Sequence, residues 1–133
     1  MEEYFSFYME VPTAEYGNNP VYNIKHRAFL FSKNVVLYIG ALQFERIYFS
    51  IFDQLIRCAT SIGANLVEGG AGSSRNDFLK YCTIALKSAN ETKYWLCLIR
   101  DTIGTDKNKI IEMLQEADEL SKIIARIIIN TKK

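Results

Sequence analysis

The residues best suited to chemistry lie between Ala59 and Phe78, where four of the chain's seven glycines stand beside serines, an arginine and two acids. Such a stretch could cradle a phosphate. A P-loop requires a lysine directly after its last glycine and a strand before the first, and the run from Gly70 to Arg75 lacks that lysine and follows a helical pattern. The dinucleotide fingerprint also fails, because no third glycine follows at its spacing. The sequence favours a helix end, with Gly69 or Gly70 in a left-handed position.

A second candidate is a set of polar residues spaced for one helix face and its neighbour. An arginine, an amide and two carboxylates could perform acid–base chemistry or hold a divalent ion. The same residues could instead form a structural polar network that fixes how two helices pack, and that interpretation is favoured. No second acidic pair accompanies them and His26 is isolated, so neither a catalytic site nor a metal or other cofactor is predicted. The network consists of Arg57, Asn65, Glu68 and Glu91.

Size and composition limit the possible classes of protein. A chain of 15.3 kDa with 49% apolar and 23% charged residues is typical of one globular domain. Its net charge of +1 provides no overall attraction to nucleic acid or to an anionic membrane. Three widely spaced cysteines predict reduced thiols and a cytoplasmic location, and we expect neither a signal peptide nor a spanning helix.

The elements that carry these residues are predicted from apolar spacing. Steps of three and four from Val21 to Leu42 predict a first helix near 21–42, and the spacing repeats in three later segments. Ser74 is the expected N-cap of the third helix, Gly104 its stop, and Thr105 or Asp106 the next N-cap. Residues 1–20 predict an irregular arm, and residues 21–133 an all-α, antiparallel up-down-up-down four-helix bundle.

The third helix carries more bulky apolar side chains than one buried stripe can hold. This surplus predicts a homo-oligomer. The residues concerned are Tyr81, Ile84, Tyr94, Trp95 and Leu98.

The segment from Asp53 to Leu96 resembles the bacterial 23S rRNA intervening-sequence (S23) family of four-helix bundles. The family pattern Q-L-x-R-[AS]-x-x-S-[IV]-x-A-N-[IV]-x-E-G, followed by an aromatic-rich helix start and S-x-x-E-[TL], is closely matched. The resemblance implies a closed ring, commonly a homopentamer, in a bacterial cytoplasm. Related accessory variability proteins of diversity-generating retroelements bind nucleic acid and a reverse transcriptase. The matching residues are Gln54, Leu55, Arg57, Ser61, Ile62, Ala64, Asn65, Glu68, Gly69, Phe78, Ser88, Glu91 and Thr92.

Basic residues on the first and third helices offer candidate contacts to RNA or DNA. Near-neutral overall charge favours an ordinary solvated face, with a phosphate-binding patch as the alternative. Sequence and resemblance together predict a non-enzymatic oligomeric helical scaffold of the S23-like family, with nucleic acid or a nucleic-acid-handling protein as its candidate partner. The alternative is a purely structural or protein-interaction bundle with no nucleic-acid role. The candidate contacts are Lys25, Arg27, Lys33, Arg75, Lys80 and Lys87.

Overall fold

The computed structural model describes residues 20–71 and 74–133, and within them every long element is an α-helix. The helices are α1 (Pro20–Ala41), α2 (Phe49–Gly69), α3 (Arg75–Thr102) and α4 (Lys107–Lys132), with a 3-10 turn at Arg46–Tyr48 before α2. α2 packs against α1 and α3, and α4 packs against α3 and, less extensively, against α1. This arrangement confirms the predicted all-α four-helix bundle. The predicted arm lies outside the described residues except for Pro20, at which α1 begins.

The starts of α3 and α4 are fixed by side-chain caps. The Ser74 hydroxyl accepts a hydrogen bond from the Asp77 backbone N–H at 3.1 Å. The Asp106 carboxylate accepts from the Asn108 N–H at 3.0 Å and from the Lys109 N–H at 3.4 Å. These bonds satisfy N–H groups that have no partner within the helix. Both helices therefore begin where local sequence predicts.

The end of α2 differs from the sequence prediction. Gly69 is its last residue, and Gly70 has right-handed angles, φ −81° and ψ 0°, so neither takes the left-handed position we expected. That prediction was wrong. The structure shows instead that both glycines lie where a neighbouring side chain packs closely against the backbone. A β carbon on Gly69 would stand 2.8 Å from the Tyr81 β carbon, and one on Gly70 would overlap the Lys25 ammonium. The reversal predicted at Gly72 lies outside the described residues.

The core runs the length of the bundle and uses the predicted apolar stripes. On α1, the predicted stripe supplies Ile24, Ala28, Phe31 and Val35, each at most 2% exposed. Each large aliphatic or aromatic side chain buried in this way contributes roughly 1.5–3 kcal/mol of transfer free energy. α1 and α2 approach closely where a β carbon on Gly63 would meet Ala28 atoms at 3.4 Å. In the described part of the chain, no helix is long and apolar enough to cross a membrane.

Candidate polar network and basic surface

A chain of hydrogen bonds joins the middle of α2 to α3. The Asn65 side-chain amide donates to the Ser61 carbonyl and to the Ser61 hydroxyl, both at 2.8 Å. The Ser88 hydroxyl donates to the Ser61 hydroxyl from α3 at 3.0 Å. One turn further along α3, the fully buried Thr92 donates to the Ser88 carbonyl at 2.7 Å. Of these bonds, the Ser88–Ser61 bond crosses between the helices and so favours one register of α2 against α3.

The other three residues of the predicted network lie apart from this chain of bonds. Arg57 donates to the Asp53 carboxylate at 3.0 Å on the surface of α2, with 71% of its side chain exposed. Glu68 and Glu91 are both exposed. Among the described residues, the ion pair of Arg57 is with Asp53, and no ion pair joins Arg57 to Glu68 or Glu91. In the described residues, moreover, no group of three His, Cys, Asp or Glu side chains is placed to hold a metal ion.

Glu91 affects a neighbouring thiol instead. Burial, with a smaller contribution from the nearby Glu91 charge, raises the pKa of Cys58 to about 11. Cys58 is 5% exposed and its thiol donates to the Leu55 carbonyl at 3.4 Å. A thiol in this state is protonated at neutral pH and is a poor nucleophile.

Sequence reasoning did not connect the two serines that complete the hydrogen-bond chain. Ser61 precedes Asn65 by one helical turn, which is a readable spacing for an amide-to-hydroxyl bond. Ser88 is 27 residues from Ser61. Only the packing of α3 on α2 places the two hydroxyls together, so spacing alone could not identify the pair.

Three of the six predicted nucleic-acid contacts are engaged within the bundle. Lys25 is only 8% exposed, and burial lowers its pKa. Arg27 donates two hydrogen bonds to the Glu116 carboxylate of α4, at 2.6 and 3.1 Å, and this pairing raises the Arg27 pKa. Arg75 donates from Nε to the Thr131 carbonyl at 3.0 Å, which ties the start of α3 to the end of α4.

The remaining three basic residues include two that share an exposed stripe of α3. Lys33 on α1 is half-buried, whereas Lys80 and Lys87 are exposed. Their separation of seven positions in the sequence places the two α3 lysines about 10 Å apart along the helix. Seven residues further, Tyr94 is 62% exposed. We call this stripe the α3 face; it consists of Lys80, Ile84, Lys87, Glu91 and Tyr94.

A second exposed surface is apolar and lies where α1 leads into α2. The exposed fraction of the residue is 60% for Leu37, 77% for Ile47 and 64% for Phe49. Val36, which precedes Leu37 in the sequence, is 43% exposed. We call these four residues the apolar corner. Several exposed apolar side chains on adjoining segments make this region a candidate interaction surface.

The family model for the 23S rRNA-intervening sequence protein matches residues 22–126. The chain belongs to this family. The predicted S23 resemblance is thereby confirmed, while a relationship to retroelement accessory proteins stays a prediction. No curated protein matches the chain significantly.

A crystal structure of an S23-family protein of unknown function from Bacteroides thetaiotaomicron shares the fold. It is 33% identical to this chain, with a TM-score of 0.75. The alignment covers 82% of this chain and 97% of that one. The S23 domain therefore accounts for the helical bundle, and residues 1–21 precede the matched region.

In this S23-family chain, four residues of the recognisable sequence pattern form the α2–α3 hydrogen-bond chain. The four residues are Ser61, Asn65, Ser88 and Thr92. The Asn65 bonds stay within α2, and the Ser88–Ser61 bond links α3 to α2. In this structure, these pattern residues contribute one hydrogen-bonded link between α2 and α3.

Proposed function

We propose that this S23-family chain is a non-catalytic scaffold of the cytoplasm that assembles as a homo-oligomer through its apolar corner. The observation that carries this proposal is the exposure of Leu37, Ile47 and Phe49 on adjoining segments. A stable monomer gains nothing from holding three such side chains in water, whereas an interface gains roughly 25 cal/mol for each Å² of apolar surface covered. The resemblance to the S23 family makes a pentamer the expected state.

Sedimentation or light scattering at micromolar concentration tests the assembly. We expect the wild-type chain to have a mass of about five subunits, and Phe49→Asp to shift it toward the monomer. Ile129→Asp is the matched control, because Ile129 is similarly exposed, at 59%, near the far end of α4. A monomeric wild-type chain, or an assembly indifferent to Phe49→Asp, would contradict the proposal.

A second proposed function is the binding of RNA or DNA through the α3 face. Lys80 and Lys87 are exposed two turns apart, and Tyr94 continues the stripe with a ring on which a base can stack. Repetition of the face in a ring would multiply a weak contact. A nucleic-acid-handling protein such as a reverse transcriptase is the protein partner that the resemblance implies.

Fluorescence anisotropy with structured RNA and duplex DNA across a salt series tests this binding. We expect affinity to fall with salt, and Lys80→Gln with Lys87→Gln to weaken binding and reduce the salt slope by about 1 for each lysine that contacts a phosphate. The control is Lys107→Gln with Lys109→Gln, which removes two exposed lysines at the start of α4. Affinity that is absent at low salt or unchanged by the α3 substitutions would leave the structural scaffold as the function.

A further inference from the structure

A groove opens between the carboxyl-terminal half of α1 and the amino-terminal half of α4. Its volume is about 420 Å³. The space exists because α1 packs less extensively against α4 than against α2. The buried side chains of Phe31 and Met113 form its floor, and its α1 wall is mostly apolar. The wall residues of α1 are Asn34, Leu37, Tyr38, Ala41 and Leu42.

The α4 side of the groove carries charges of both signs. Lys109 and Glu112 line it one helical turn apart, and both are exposed. Among the described residues, neither takes part in an ion pair. Of the other carboxylates there, Glu116 is paired with Arg27, and Asp106 caps α4. The groove therefore offers a cation and an anion to an incoming surface, beside an apolar floor.

A segment of matching chemistry projects just before and at the start of α2. Ile47 and Phe49 are exposed, and neither lines the groove of its own chain. The two residues before Ile47 are Glu45 and Arg46, which are also exposed. Within the described part of the chain, no ion pair engages either of them. Apolar side chains beside an anion and a cation thus complement a groove with the same composition.

We propose that residues 45–49 of one copy of the chain dock in the α1–α4 groove of a second copy. Ile47 and Phe49 cover the apolar floor there. This inference rests on the proposed assembly through the apolar corner, and it divides that corner into two parts. Ile47 and Phe49 project, whereas Leu37 belongs to the wall that receives them. Each surface is exposed in the single chain and covered in the assembly.

The charges set the orientation of the docked segment. Arg46 of one copy pairs with Glu112 of the other, and Glu45 pairs with Lys109. In the opposite direction like charges would meet, so the two pairs select one way of docking. Because all four groups lie at the exposed rim, they contribute orientation, and the covered apolar surface contributes most of the affinity.

Cross-linking between two single-cysteine chains tests the contact. One chain carries Ile47→Cys and the other Asn34→Cys, an exposed neutral position on the groove wall, both in a Cys97→Ser background. The two remaining native thiols are buried. We expect a short bismaleimide to give covalent dimers from the co-expressed mixture and from neither variant alone. Ile129→Cys in place of Asn34→Cys is the control and should give none.

The outcomes separate this contact from the assembly itself. Light scattering on the same samples reports whether the chains are oligomeric. An oligomer that gives no cross-link in the mixture would overturn the docking while the proposed assembly stands. Equal cross-linking of Ile47→Cys alone would also overturn it, because the projecting segments would then meet each other. A monomeric chain would overturn both.

Charge reversal tests the orientation independently. We expect Arg46→Glu and Glu112→Arg each to raise the dissociation constant of the assembly several-fold, and the double variant to recover most of that loss. Arg126→Glu, at an exposed position in the far half of α4, is the matched control and should leave assembly unchanged. Circular dichroism confirms that the variants fold. A double variant that recovers nothing would overturn the pairing of Arg46 with Glu112.

Discussion

Gly69 and Tyr81 pack so closely that a β carbon at position 69 would stand 2.8 Å from the Tyr81 β carbon. The end of α2 meets the first turns of α3 at this point. Because the obstructing atom belongs to the stem of the side chain, it cannot swing away, and the helices themselves must move to admit a methyl group.

Gly69→Ala should therefore destabilise the fold by about 1–3 kcal/mol, the usual cost of overpacking. Gly63→Ala is the matched control, because there the added β carbon meets Ala28 at 3.4 Å, an ordinary contact. That change removes a mid-helix glycine and should stabilise by up to about 1 kcal/mol. Urea denaturation measures both, and equal effects of the two substitutions would contradict the packing account.

The α2–α3 hydrogen-bond chain should contribute to stability in a coupled way. Ser88→Ala removes the donor to the Ser61 hydroxyl and should cost about 1 kcal/mol. Ser61→Ala should cost more, because Asn65 also loses an acceptor. A double-mutant cycle on unfolding free energies should give a Ser61–Ser88 coupling above about 0.5 kcal/mol. Strict additivity would show that the hydroxyls do not interact.

Arg27 should behave as a structural residue and not as a nucleic-acid contact. Its ion pair with Glu116 joins α1 to α4, and both side chains are about a third exposed, at 38% and 33%. Arg27→Gln should therefore cost at most about 1 kcal/mol of stability and leave any nucleic-acid affinity unchanged. Anisotropy on this variant beside the α3-face variant measures the second effect. A loss of affinity as large as that of Lys80→Gln would reassign Arg27 to the binding surface.

The thiols should differ in reactivity according to burial. Cys58 is buried with a pKa of about 11, so less than about 1% is thiolate at pH 8. We expect the half-buried Cys97 to react first with a thiol reagent, and Cys58 only after unfolding. Mass spectrometry of partially labelled native chain identifies the order, and early labelling of Cys58 would show that α2 and α3 open locally.

Acid stability should depend on Asp118. Its carboxylate accepts hydrogen bonds from Lys122 at 2.9 Å and from Lys93 at 3.3 Å, which lower its pKa below 3.8. Because the folded pKa lies below the unfolded one, this contribution is present above about pH 4 and is lost as pH falls through the folded value. Asp118→Asn should therefore flatten the acid limb of the stability curve.

A background lacking both lysine partners provides the control for this effect. In Lys93→Gln with Lys122→Gln, the carboxylate has lost the charges that stabilise it. Asp118→Asn should then leave the acid limb almost unchanged. Chemical denaturation from pH 3 to pH 7 measures the difference, and an equal flattening in both backgrounds would mean that other groups cause the acid dependence.

The sequence by itself determined the helices and where two of them begin. Apolar steps of three and four residues place α1 and its neighbours, because one face of a helix must be buried in any compact arrangement. The caps at Ser74 and Asp106 are equally local, since each side chain bonds to N–H groups two or three residues away. Because the connections are short, each helix must return beside the preceding one, and this predicts an antiparallel bundle.

Only the tertiary structure decided which polar and glycine residues meet. Arg57 was grouped with Asn65 by spacing, yet it pairs with Asp53, and Arg27 finds Glu116 at a separation of 89 residues. The sequence predicted a left-handed backbone conformation at Gly69, whereas in the structure the close approach of Tyr81 explains why the residue is glycine. Contacts of this kind depend on how each helix is rotated and how closely it approaches the next. Those quantities follow from the packing of the whole core and are not written in the spacing of any one segment.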